Sequence, residues 1–196
     1  MSEYHNMTQG QLTQVAYAID DILRVVGEDG KREGLVETPK RAAKAWAELT
    51  RGLREDPAVH FKTFEAVEYK ELILVRDIPF VSMCEHHLLP FMGVAHIGYI
   101  PDGRILGLSK FARIMQCCAA KPHVQEKLTM EVANLMVEHL HPLGAMVVVS
   151  AEHTCMSIRG VKAVGSKTVT SAVTGVFKDP TTGARAEFLN LLGGSA

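Results

Sequence analysis

Apolar positions recur at helical spacing over the first fifty residues and shift to strand-like runs further along. Leu12, Val15, Ala16, Ile19, Ile22, Leu23 and Val26 fall three and four apart, which predicts an amphipathic helix. Thr8 or Gln9 stands near its start and Gly27 past its end. A loop rich in glycine and charge, Gly27 to Gly34, follows. Thr38-Pro39 then reads as a cap followed by proline in the first turn of a second helix running through Ala42, Ala43, Trp46 and Leu49 to Gly52. After the polar link at Asp56-Pro57, Leu72 to Val75 and Val94 to Ile100 read as strands, and Asp102-Gly103 as a turn. Ser109 is placed to cap a helix reaching about Cys118. A longer helix follows Pro122, with Val124, Leu128, Val132, Leu135, Met136 and Leu140 as its buried stripe. Ala145 to Ala151 is β-branched, and Thr168 to Phe177 alternates in part. Two strands, two helices and two strands predict an α+β domain over residues 61–196: a four-stranded antiparallel sheet with two helices on one face. An N-terminal helical region over residues 1–60 precedes it.

Composition narrows the functional classes. Of 196 residues, 47% are apolar and 22% charged, enough for a folded core. Lys and Arg number 21 against 22 Asp and Glu, so a nucleic-acid footprint spread over the whole surface is excluded while a local cationic pocket is not. No apolar run approaches the ~18–20 residues of a membrane span, and Met1 to Thr8 lacks a secretory pattern. The expectation is a cytoplasmic protein that binds neither membrane nor nucleic acid. In a reducing compartment the four cysteines are core thiols or metal ligands. Cys117 and Cys118, inside an apolar helical stretch, read as packing.

Cys84 and Cys155 differ because histidines flank both. Ser82-Met83-Cys84-Glu85-His86-His87 and Glu152-His153-Thr154-Cys155 each follow a predicted strand, so two strand ends can bring them together. Thiolate and imidazole are preferred zinc ligands, and Cys84-x-x-His87 lets one turn present both. Two arrangements are open. A closed structural site would use both cysteines and two histidines. A catalytic site would use three ligands and leave a histidine beside the metal to move protons. Lys110 and Arg113 share a helix face in a first turn, where free amides favour an anion; their plain alternative is a solvated surface. No Gly-x-x-x-x-Gly-Lys-Ser/Thr loop occurs, so polyphosphate must be held by side chains such as these and Arg159. Glu126, opening the long helix, can accept from the N1–H and 2-amino group of guanine, or merely favour the helix dipole.

Together these segments resemble GTP cyclohydrolase I of the zinc type. The resemblance is carried by Ser82-Met83-Cys84-Glu85-His86-His87-Leu88-Leu89-Pro90-Phe91, His96-Ile97-Gly98-Tyr99-Ile100-Pro101 and Gly107-Leu108-Ser109-Lys110. Val124-Gln125-Glu126, His153-x-Cys155-Met156-x-x-Arg159-Gly160, Ser166-Lys167-Thr168-Val169-Thr170-Ser171, and the earlier Arg32-Glu33-Gly34-Leu35 and Thr38-Pro39-x-Arg41 extend it. It implies the tunnelling fold, in which sheets from several subunits join into a barrel, and a homodecamer of two pentamers with sites between subunits. It implies conversion of GTP to 7,8-dihydroneopterin triphosphate with loss of C8 as formate, the first step of pterin and folate-type biosynthesis. It further implies one zinc per subunit on Cys84, His87 and Cys155, and proton transfer by His86 and His153. The guanine would be read by Glu126 with Gln125, and the triphosphate bound by Ser109, Lys110, Arg113 and Arg159, with Arg41 contributing. A non-catalytic relative with structural zinc, or one acting on another purine triphosphate or stopping at the ring-opened product, is the alternative. Many members read Arg-x-Gln-Val-Gln-Glu-Arg-Leu-Thr where this chain has Lys121-Pro122-His123-Val124-Gln125-Glu126-Lys127-Leu128-Thr129. The two lysines keep charge but lose the bidentate fork, and His123 replaces an amide with a titratable ring.

Overall fold

A computed structural model describes residues 7–65 and 68–193. The chain divides into two compact units, Met1–Glu55 and Asp56–Ala196; the amino-terminal stretch up to Asn6 lies outside the described residues.

In the first unit, α1 (Gln9–Val25) opens with a reciprocal cap: Gln11 N–H donates to Thr8 Oγ1 and Thr8 N–H to Gln11 Oε1. The chain leaves the helix through Gly27 at φ +88°, a conformation glycine adopts without a Cβ penalty. Helix α2 spans Thr38–Leu49, with Ala43 and Ala47 on its buried side. Thr38 is its first residue rather than its cap. Glu37 occupies the cap position in a helical conformation, because the turns from Arg32 onward already wind toward the helix.

The second unit is a mixed α+β structure. Its strands are β1 (Thr63–Glu65), β2 (Ile73–Cys84), β3 (Pro90–Ile100), β4 (Arg104–Leu106), β5 (Pro122–His123), β6 (Gly144–His153) and β7 (Thr168–Val173). The main sheet runs β5-β2-β3-β6-β7, and β1 pairs with β4 separately. The long strands β2, β3, β6 and β7 are antiparallel neighbours, whereas two-residue β5 joins β2 in parallel and makes a fifth strand beyond the four expected. Strand β2 is much longer than Leu72 to Val75. A bulge at Arg76-Asp77, with Asp77 at φ +57° and its N–H donated to His96 Nδ1 at 3.1 Å, carries the strand past a polar pair that breaks the sequence pattern.

Helices α3 (Leu108–Ala119) and α4 (Gln125–Leu140) cover one face of the sheet. Phe111, Ile114, Leu128, Val132 and Met136 pack there on Phe91, Ile97, Tyr99 and Val147. Ser109 does not cap α3: Gly107 takes that position in extended backbone, leaving Ser109 exposed in the first turn. Cys117 and Cys118 are buried, as core packing requires. The other face holds a second core under α6 (Ala184–Gly193), where Phe188 lies so close over Gly98 that a Cβ there would meet its ring. Strand β7 ends at Val173, where the Thr174 hydroxyl accepts from Ala145 N–H and a 3-10 turn begins. No helix among the described residues is long and apolar enough to cross a membrane.

Candidate metal centre and active site

Three strand ends meet at one end of the main sheet. Cys84 is the last residue of β2, and a tight turn follows it. Cys84 N–H donates to Leu89 O at 2.8 Å, while Cys84 O accepts from His87 N–H at 3.3 Å and Leu88 N–H at 2.8 Å. Leu88 adopts φ +54° so the chain can re-enter as β3. The turn brings His87 back over Cys84. From β6, His153 leads directly into α5 (Thr154–Ser157), and the Thr154 hydroxyl donates to Pro90 O at 2.6 Å, seating that helix against the start of β3. Cys155 is thereby set opposite Cys84.

The ligand atoms of Cys84, His87 and Cys155 all lie within 4.8 Å of one another. Cys84 Sγ is 3.8 Å from His87 Nδ1 and 3.9 Å from Cys155 Sγ. Tetrahedral zinc, with bonds of about 2.3 Å to sulfur and about 2.0–2.1 Å to nitrogen, would set such atoms roughly 3.5–3.8 Å apart. Donor chemistry and spacing therefore fit one small ion. Burial, then the hydrogen bond to Cys84 and its charge, raise the Cys155 thiol above its ordinary value, with Arg159 pulling the other way. A bound cation would favour the thiolate form of its sulfur ligands.

His153 and His86 stand outside that trio in contrasting settings. The His153 ring stacks on buried Phe91, centroids 4.5 Å apart and planes 3° from parallel. Its Nε2 is 2.8 Å from Gln125 Oε1. Gln125 is 1% exposed, and its amide nitrogen donates to Val149 O at 3.1 Å and Thr168 O at 3.0 Å, with Thr170 Oγ1 also at 3.1 Å. Carbonyls only accept, so the amide orientation is determined and Oε1 must face the ring. His153 consequently carries a proton on Nε2, leaving Nδ1 as the basic ring nitrogen of the neutral side chain. Burial lowers its pKa, with the Glu126 carboxylate opposing. His86 is largely exposed, its ring 6.3 Å from that of His87. Glu85 Oε1 lies 4.0 Å from His86 Nε2 and 3.7 Å from Lys127 Nζ.

The α3 side chains expected to bind an anion are elsewhere, whereas Arg159 is near enough to Cys155 to act on its thiol. Leu106 N–H donates to the Tyr99 hydroxyl at 2.8 Å, so α3 begins at the far end of β3. Tyr99 is eight residues along β3 from Phe91, roughly 27 Å at the rise of a strand. Ser109 and Lys110 therefore stand at the opposite end of the sheet from Cys84 within one chain. Arg113 and Arg159 are exposed, the latter one turn beyond α5. Arg41, in the first unit, is exposed and donates to Thr38 Oγ1 at 3.1 Å. Sequence reading gave Gln125 no part in holding His153; only the pairing of β6 with β7 reveals the carbonyls that orient it.

A sheet end that gathers two thiols and an imidazole beside an oriented histidine defines an α+β protein with a candidate thiolate–imidazole metal centre and acid–base groups at its rim. The GTP cyclohydrolase I family profile matches residues 15–193. GTP cyclohydrolase 1 of Geobacillus kaustophilus is 54% identical over 187 residues, covering 95% of this chain and 99% of the relative. The protein of that name from Geobacillus sp. strain WCH70 is 56% identical over 182 residues, 92% of this chain and 96% of its own. That from Bacillus subtilis is 55% identical over 177 residues, 90% and 93% respectively. The chain belongs to the GTP cyclohydrolase I family, and its function is that of an enzyme acting on GTP.

Proposed function

We propose that this chain opens the imidazole ring of GTP at the Cys84 end of its sheet, releases C8 as formate and yields 7,8-dihydroneopterin triphosphate. The observation that carries the reading is the convergence of Cys84, His87 and Cys155 beside a His153 whose Nε2 proton is fixed by Gln125. One zinc ion per subunit would be held by those three ligands, and it would supply Lewis acidity that makes water nucleophilic near neutral pH, about pKa 7. The remaining work belongs to the chain. His153, stacked on Phe91 and donating from Nε2 to Gln125, presents Nδ1 to take up or deliver a proton at the purine ring nitrogen and later at the ribose. His86, at the solvent-facing rim beside Glu85, exchanges protons with bulk water. Glu126 reads the guanine edge, and Gln125 serves the same subsite by fixing the head of α4 against β6 and β7.

Ser109, Lys110, Arg113 and Arg159 bind the triphosphate, with Arg41 assisting. The separation of Ser109 and Lys110 from Cys84 within one chain supports a site shared between subunits, one chain supplying the metal ligands with Arg159 and another the Ser109 and Lys110 contacts. This is the arrangement expected of a tunnelling fold whose sheets join into a barrel in a decamer of two pentamers. A cytoplasmic setting agrees with thiol ligands that must stay reduced. Zinc-replete protein incubated with GTP should yield formate and a product that becomes fluorescent neopterin on oxidation. A loaded, oligomeric sample yielding neither, or only a ring-opened formamide, contradicts the reading.

A further inference from the structure

Strand β5 is only two residues long, yet it flanks the turn that carries two of the three candidate ligands. Its register places His123 beside Cys84 and Pro122 beside Met83. The ladder with β2 is only two residues long. His123 O accepts from Glu85 N–H at 3.1 Å, Lys121 O accepts from the Ser82 hydroxyl at 3.2 Å, and Pro122 has no N–H to give. A two-residue ladder with these few added hydrogen bonds is too short to anchor itself.

Side chains supply the anchor. His123, 6% exposed, brings Nε2 to 2.8 Å from Glu131 Oε2, and Lys121 brings Nζ to 2.7 Å from Glu131 Oε1. Both oxygens of one carboxylate thus grip the residues on either side of Pro122. Glu131 belongs to α4, whose first residue, Gln125, holds His153. Burial alone would raise the Glu131 pKa, but hydrogen bonds from His123 and Lys121 outweigh it and hold the carboxylate below its ordinary value. Lys121 and His123 therefore converge on a single acceptor.

We infer that Glu131 is a positioning residue: through Lys121 and His123 it fixes β5 against the Cys84–His87 turn, and so sets the metal ligands in register with the α4 end that holds His153. The inference rests on the metal reading above. It is tested with cobalt(II) in place of zinc, following the thiolate-to-cobalt absorption and the rate of cobalt release to a chelator in wild type, Glu131→Ala, Glu131→Gln and His123→Gln. Glu131→Ala should change the absorption and speed release by about tenfold, the scale on which outer partners of ligands act. Glu131→Gln, which keeps one acceptor for Lys121 while a neutral His123 can accept from the new amide, should lie between it and wild type. For GTP turnover, kcat should fall as release quickens, while KM changes less than about twofold, because the phosphate contacts are untouched. Variants that lose thermal stability but keep the wild-type spectrum and release rate overturn the inference. If Glu131→Ala does not fold, unchanged release in both Glu131→Gln and His123→Gln does the same. A wild-type protein without thiolate-to-cobalt absorption overturns the metal reading itself, and the inference with it.

Discussion

At the Cys84 end of the sheet the functional groups are held within the chain: thiols face each other at 3.9 Å, His153 is pinned between Phe91 and Gln125, and Glu131 grips β5. At the Tyr99 end, Ser109 and Arg113 are exposed and Lys110 is half-buried on the first turns of α3. The first end has the character of a preorganised reaction centre, where donors are aimed before substrate arrives. The second is the solvent-facing patch to which the proposed function assigns the triphosphate. The contrast teaches that the thiol and imidazole groups and the exposed α3 side chains lie apart within one chain; under the proposed function a second copy alongside would unite them.

The largest effect should come from the ligands. Cys84→Ser or Cys155→Ser should remove the metal and lower turnover by about 10⁴-fold, measured by metal analysis beside formate release. Should either variant retain stoichiometric zinc and activity, the reaction centre has been misplaced. His153→Ala should cost about 10³-fold in kcat while leaving zinc bound, separating proton transfer from metal holding. A variant that loses zinc as well would make His153 a ligand.

Weaker effects belong to the other end. Lys110→Ala should raise KM for GTP by about tenfold, the scale of one charge-assisted hydrogen bond, with a smaller change in kcat. The sharper form mixes chains. Cys84→Ser subunits dissociated and reassembled with Lys110→Ala subunits, assayed at GTP well below the raised KM, should regain low-KM turnover in about a quarter of the sites, because some interfaces then combine an intact metal half with an intact phosphate half. Activity no higher than the sum of the separate variants would place both halves in one chain.

The smallest effect concerns acid. Glu131 has a folded pKa below the ordinary value near 4.5. Its contribution to stability is fully present above that ordinary value and is lost as pH falls through the lower folded value. Glu131→Gln should therefore flatten the acid limb of stability against pH, read from denaturant midpoints between about pH 3 and 6. Parallel limbs in the two proteins would show that the His123 and Lys121 contacts contribute nothing to folding.

The parts legible in the sequence were those governed by local periodicity and by ligand chemistry. The stripe of α4 from Leu128 to Leu140 and the β-branched run of β6 were readable because burial repeats along them. Cys84, His87 and Cys155 were readable because thiol and imidazole at short spacing have few other uses. What escaped were features created by pairing between distant segments. The length of β2 was hidden by Arg76-Asp77, whose polarity interrupts the pattern until His96 accepts the bulged amide. Strand β5 has too few residues for any period. The engagement of Gln125 depends on carbonyls of β6 and β7, more than twenty positions away.

Anomalous diffraction at the zinc edge, from crystals of the zinc-replete protein, tests the central claim most directly. The account predicts one ion per chain bonded to Cys84 Sγ, Cys155 Sγ and His87 Nδ1, with the fourth position free of protein atoms and facing His153. An ion ligated additionally by His86 or His153, or no ion between these side chains, would contradict it.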